Sequence, residues 1–244
     1  MVDQERTGTN NGPRPLSTKK RGPESRYNDP MVLLISLLTL LTGLLAPGLQ
    51  RERPSTNDFL TLDGARPIID NQRASVWDLA WTRGVPAAME RPSSNSIWIS
   101  VAPMPGTVVY WPKGAERRAT QSPNAPARTI VIDLKDQPTT ATFENKSGFP
   151  NAFPRPGSKK VFENDRIVVW DYTWTPGLAT PMHFHDKDVV VVYLKDGALK
   201  STTPDGKSTV NTLIVGKTTF TARDRVHTET LIEGESRAII TEFK

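Results

Sequence analysis

The chain has 244 residues, with 31 Lys and Arg against 26 Asp and Glu, a formal net charge of +5 and no cysteine. Without cysteine there are no disulfides, zinc–thiolate sites or cysteine nucleophiles, so any metal must be held by histidine, carboxylate or water. The modest, scattered charge forms no basic stripe interleaved with aromatics, which argues against a nucleic-acid partner.

A hydrophobic content of 36% with 21 prolines and 16 glycines indicates a loop-rich, mainly β protein with disordered segments, not a helical bundle. Residues 1–30 are polar, with the basic cluster Lys19-Lys20-Arg21, and read as a disordered tail because nothing in them can bury a core. Residues 31–49, MVLLISLLTLLTGLLAPGL, are uncharged, and their length is near the ~18 residues of a membrane span. With no polar face and no caps, this run is a poor core helix. It is expected to form one hydrophobic helix, either a signal-anchor or the apolar region of a cleaved signal peptide. Met31 is a second candidate start. Either reading implies export, as a domain tethered to the membrane by residues 31–49 or as a periplasmic or secreted protein after cleavage.

After a polar connector the chain repeats itself. Residues 66–89, RPIIDNQRASVWDLAWTRGVPAAM, align without a gap to residues 159–182, KKVFENDRIVVWDYTWTPGLATPM. Asn71, Arg73, Val76, Trp77, Asp78, Trp81, Thr82, Gly84 and Met89 recur as Asn164, Arg166, Val169, Trp170, Asp171, Trp174, Thr175, Gly177 and Met182. Two copies of one structural unit are therefore expected, at 66–137 and 159–244. Between them residues 138–158, rich in Pro, Thr and Gly, read as a linker or wrapping arm. From Lys159 onward, short apolar runs broken by turns such as PDG and EGES predict a β sandwich or barrel. The duplicated Trp, Asp and Thr positions read as structural.

The second copy holds all three histidines of the chain. His183 and His185 are one residue apart, so on a strand both imidazoles share a face. Gly177, His183, His185 and Gly197 fall on the pattern G, five residues, HxH, three or four residues, Glu, six residues, G; Gly216 and His227 fall on G, five residues, PxG, two residues, H, three residues, N. These are the two signature motifs of the cupin superfamily, which the chain resembles from Lys159 to its C-terminus. Val190 stands in the place of the glutamate, and Ala222, Asp224 and Leu231 replace Pro, Gly and Asn. The resemblance implies an all-β, double-stranded β-helix (jelly-roll) barrel in two tandem, bicupin-like copies, the first degenerate. Glu90 and Pro92 stand where His183 and His185 do. Gly106, Pro112, Gly114 and Arg117 fit the second motif's spacing, but the repeat makes Pro-Lys-Gly the counterpart of the Pro204-Asp205-Gly206 turn. On that alignment, the segment carrying a third histidine is missing from the first copy.

Converging neutral imidazoles from His183, His185 and His227 bind a divalent ion, each nitrogen ~2.0–2.1 Å from zinc. Iron, manganese, nickel, copper and zinc are all candidates, because imidazole suits most of them alike. Three protein ligands leave coordination positions open, as in a catalytic site, and resemble three-histidine cupins of the cysteine dioxygenase type. The alternative is a barrel that has lost its metal. Asp188 is expected to share the interior face with Val190, as a partner to a ligand or to substrate, or else as a solvated turn aspartate. Arg223 and Arg225 alternate ahead of His227; Arg225 is a candidate to hold a substrate carboxylate, against the reading of two exposed arginines. No acid–base residue is identifiable. The expected function is an exported metal-binding protein, either a metal-dependent, dioxygenase-like enzyme on a small organic molecule or a non-catalytic ligand-binding or structural module of the cell envelope. The resemblance adds a homodimer as an expected partner.

Overall fold

The computed structural model describes residues 65–81, 89, 90, 92–115, 117, 118, 126–136 and 143–244. The tail at 1–30 and the apolar run at 31–49 lie outside the described residues. Among those described there is no helix, and hence none long and apolar enough to cross a membrane.

The N-terminal part consists of β1 (Ala65–Asp70), β2 (Ala74–Trp81), β3 (Met89–Glu90), β4 (Asn95–Ala102), β5 (Val108–Trp111), β6 (Arg117–Arg118) and β7 (Ala127–Leu134). The C-terminal part consists of β8 (Lys159–Glu163), β9 (Ile167–Thr173), β10 (His183–His185), β11 (Asp188–Tyr193), β12 (Gly197–Thr202), β13 (Ser208–Leu213), β14 (Thr218–Thr221), β15 (Arg225–Gly234) and β16 (Arg237–Phe243). One five-stranded sheet has the order β1-β2-β7-β4-β5 and a second the order β14-β11-β16-β9-β8. Read from β8, the second sheet repeats the first strand for strand. The registers repeat too: Ser96↔Trp111 and Ile97↔Tyr110 in one, Val189↔Thr221 and Val190↔Phe220 in the other. A four-stranded sheet, β10-β15-β12-β13, faces the second five-stranded sheet.

The strands β7 and β16 lie at the centres of their sheets, which is why ARTIVIDL and RAIITEF are apolar with little alternation: both faces are covered. One face of each five-stranded sheet contributes to a common core, in which Val76, Ile97 and Ile132 pack with Val169, Val190 and Ile239. Each such aliphatic side chain contributes roughly 1.5–3 kcal/mol by leaving water. The other face of the C-terminal sheet closes with the four-stranded sheet over a separate core that includes Trp170, Tyr172, Trp174, Leu199 and Leu231. This closed pair of antiparallel sheets is the expected jelly-roll.

Reciprocal polar contacts tie the two halves. Arg128 binds Asp78 through Nε and Nη2, both at 2.9 Å, and donates from Nη1 to the Val215 carbonyl at 3.0 Å. Arg237 likewise binds Asp171 at 3.0 and 2.8 Å and donates to the Pro105 carbonyl at 3.4 Å. Arg73 donates to the Lys244 carbonyl at 2.7 Å, while Arg166 donates to that of Lys135. The arginines thus make the crossing bonds, while the duplicated Asp78 and Asp171 hold Arg128 and Arg237 in place within their own halves, a structural role as expected of the aspartates.

Three details differ from the sequence reading. The barrel-facing residues of β11 are the odd ones, Val189, Val191 and Tyr193, while Val190 points into the core shared by the two sheets. The spacing left the strand's facing free by one residue, and the neighbouring sheet decided it. In the N-terminal part, β5 is the register equivalent of β14, so Pro112-Lys113-Gly114 matches Ala222-Arg223-Asp224 and not the Pro204 turn. The third-histidine segment is accordingly present there in short form as β6; the hairpin β12–β13 is what lacks a counterpart. Finally, the arm before β8 is part of the barrel: Asn151 bridges to Phe184, and Ala152 N and Phe184 N donate to the carbonyls of Phe184 and Pro150 at 2.8 Å.

Candidate metal centre

The centre is built on one pair of antiparallel strands. In β10 and β15, His183 is directly opposite His227 and His185 directly opposite Arg225. Directly opposed residues share a face, as do residues two apart on one strand. Pairing alone therefore brings all three imidazoles and the Arg225 guanidinium to one side. The turn that enters β15 is set by Asp224, whose φ of 66° is left-handed and whose N–H donates to the His185 carbonyl at 2.9 Å. Asp is among the few residues that enter this region readily, so it can stand in the motif's glycine place.

His183, His185 and His227 are buried and offer ligand atoms all within 4.8 Å of one another. The Nε2 atoms of His185 and His227 are 3.2 Å apart, the separation expected of two nitrogens each about 2.1 Å from one ion. Two of the rings are oriented from behind. His183 Nδ1 donates to the Pro181 carbonyl at 2.7 Å, which makes Nε2 the unprotonated nitrogen, and that atom accepts from Arg155 in this structure. His227 Nδ1 lies 3.2 Å from Ser201 Oγ, and the His185 Nδ1 is buried without a hydrogen-bond partner. Burial, then the Arg155 guanidinium, pushes His183 down to about 4. Burial, then Arg225, pushes His227 down to about 3 and lowers His185 as well. All three are neutral at pH 7, the form that binds a metal. The donor set fits a divalent ion.

A cavity of about 120 Å³ adjoins His185 and His227. Arg155 enters it from the arm before β8, its guanidinium carbon 4.0 Å above the Tyr172 ring and 4.6 Å from the Phe153 ring. Its Nη1 is 3.3 Å from His183 Nε2 and its Nη2 3.6 Å from Glu229 Oε2. Glu229 also accepts the Trp174 indole N–H at 3.1 Å. Tyr193 lines the cavity, and burial raises its phenol.

Of the residues read from sequence, the three histidines and Arg225 come together here. Asp188 does not line the cavity: its Oδ1 accepts the Arg223 N–H at 2.9 Å and its Oδ2 pairs with Arg73 at 3.4 Å. Asn95 plays the same part in the first half, accepting the Lys113 N–H at 2.8 Å. Arg223 lies over the Phe143 ring, away from the cavity. The sequence reading missed Arg155, Ser201, Tyr193 and Glu229. Glu229 had a signal, two residues beyond His227 on a strand; Arg155, in a Pro-rich arm, had none.

No family model matches the chain. A 60-residue stretch is 38% identical to the beta-alanine degradation protein BauB of Pseudomonas aeruginosa, over 25% of this chain and 59% of that protein; the chain thus spans about three fifths of the length of the curated relative it matches. A solved cupin domain from Bordetella pertussis Tohama I is 28% identical with a TM-score of 0.33, over 37% of this chain and 97% of that one. A cupin 2 conserved barrel domain protein from Leptotrichia buccalis is 12% identical with a TM-score of 0.44, over 74% and 88% of the two chains. Cupin domain structures are among those to which the chain is similar.

Proposed function

We propose that the chain is a two-copy cupin in which the C-terminal barrel holds one divalent metal ion on His183, His185 and His227 and brings it against a small organic molecule. The observation that carries this is the convergence of three neutral imidazoles, from two paired strands, at the edge of a cavity that opens to solvent. The two-copy reading is supported by the repeated strand order and register, and by identical turns in which Asn71 and Asn164 each accept two backbone N–H bonds. In the first copy the register of His183 and His227 is taken by Glu90 and Arg117, so the site there has been given up.

A metal of the iron, manganese, nickel, copper or zinc group would supply Lewis acidity or, if redox-active, oxygen chemistry. The chain's own residues do the rest. Pro181 and Ser201 fix two imidazoles, Trp174 and Phe153 help wall the cavity, and Tyr193 keeps its phenolic proton as a hydrogen-bond donor. The partial likeness to a protein named for beta-alanine degradation is in keeping with a small substrate.

A non-catalytic binding module is the second reading. It is favoured by the engagement of Glu229 with both Trp174 and Arg155, which leaves that carboxylate poorly placed to take a proton. Export belongs to the proposal on the strength of the uncharged run at 31–49 alone, and homodimerisation on the cupin resemblance alone. Cell fractionation with N-terminal sequencing, and light scattering, test those two.

Elemental analysis of the purified protein beside the His183→Ala/His185→Ala variant tests the core of the proposal. Near-stoichiometric metal in the parent and none in the variant is expected. A parent that stays metal-free after reconstitution would overturn it, and metal-loaded protein that turns over no candidate substrate would favour the binding module.

A further inference from the structure

Arg225 is a half-buried cation that shares the cavity's carboxylate, Glu229, with a second guanidinium. Its guanidinium lines the cavity beside His185 and Glu229, its Nε is buried without a hydrogen-bond partner, and among the described residues it has no ion pair. Glu229, the carboxylate of the cavity, is already engaged by Arg155 and Trp174. Arg155 Nε is likewise buried and unpartnered. Two guanidiniums therefore face one carboxylate. A divalent ion on the histidines would deepen the imbalance. Charge drawn out of water is disfavoured unless an opposite charge compensates for it, one carboxylate does not neutralise two guanidiniums, and a guanidinium presents a planar fork that matches a carboxylate.

We infer that the C-terminal cavity is built for a small carboxylate, with Arg225 as its anchor and Arg155 as a second positive wall. The remaining lining mixes aliphatic Val189, Val191, Leu213 and Ile240 with polar Asn211, Thr219 and Thr221, which suits the short remainder of such a molecule. At about 120 Å³ the space is smaller than the roughly 150 Å³ that holds one benzene. The space inside thus suits a short-chain acid. This rests on the cavity being the ligand site of the proposed function, but it does not require the metal.

The test is titration calorimetry of the full chain, stripped with chelator and separately loaded with zinc, against propionate and its uncharged isostere propionamide. Metal content is measured on the same samples. Propionate is expected to bind both forms, at least tenfold more tightly than propionamide. Arg225→Gln is expected to lose at least tenfold in propionate affinity, with Arg225→Lys between the two; these are the ratios for removing a charge-assisted hydrogen bond. Because a cation that shares its carboxylate is removed, Arg225→Gln should melt no lower than the parent without propionate and should lose the propionate-induced rise. Equal binding of propionate and propionamide, no binding of either, or propionate binding indifferent to Arg225→Gln overturns the inference. Chelator-stripped protein that binds propionate through Arg225 but never takes up zinc upholds it while sinking the metal proposal. Zinc-loaded protein blind to propionate does the reverse.

Discussion

Arg128 of the first half lies where a side chain on Gly216 of the second would have to go, and Arg237 stands in the same relation to Gly106. Both glycines are left-handed, with φ of 82° and 89°. The two loops are therefore glycine for two reasons, the backbone conformation and the guanidinium of the opposite half. Gly216→Ala is expected to cost about 2–3 kcal/mol, from the strained φ and from displacing Arg128 off Asp78. Denaturant unfolding measures it. Arg128→Ala together with Gly216→Ala should cost less than the sum of the single changes, and strict additivity would mean the contact does not matter.

Val189 and Val190 are predicted to separate cleanly. Val189 lines the cavity and Val190 sits in the core between the sheets. Val190→Glu buries a carboxylate among aliphatic side chains and should destabilise by more than about 3 kcal/mol. Val189→Glu faces Arg225 and the histidines, so it should keep the fold and bind divalent metal at least as tightly as the parent. Melting curves and metal competition titrations on the two variants decide it; equal destabilisation would contradict the assigned strand facing.

Ser201 orients the His227 ring through Nδ1 at 3.2 Å. Partners of this kind typically carry about 10–100-fold in metal affinity. Ser201→Ala is expected to weaken metal binding by at least tenfold while leaving the melting temperature of the chelator-stripped protein within a few degrees. A chromophoric chelator competition reads the first and scanning fluorimetry the second.

Glu242 gives the protein a pH dependence of its own. Its Oε2 accepts the Trp170 indole N–H at 2.8 Å, its Oε1 is buried without a partner, and burial pushes the carboxyl from 4.5 up to about 7. Between those values the folded chain holds a proton that the unfolded chain has released. The contribution is therefore complete below pH 4.5 and is lost as pH rises to about 7, by on the order of 3 kcal/mol. Glu242→Gln keeps an oxygen for Trp170 and removes the charge, so it should gain stability over the parent at pH 8 and not at pH 4.5. Parallel stability curves for the two proteins would rule this out.

Much was legible in the sequence because some patterns are local. Alternation and turn residues announced an all-β chain, nine identities at one spacing announced the repeat, and HxH fixed two imidazoles on one face of one strand. The place of His227 beside His183 followed from a motif, and the paired strands put it there. What the sequence could not decide was which face of β11 looks inward, because a period of two is unchanged when the whole strand is turned over. Nor could it place Arg155, which reaches His183 from an arm whose Pro-rich composition carries no period. Asp188 had a carboxylate's chemistry but not a ligand's position; only the packing of the first half against the second gave it Arg73 as a partner. Local spacing determined the strands and the histidines. Which side chains meet across the barrel, and which must share a counter-charge, was decided by the sheets that cover them.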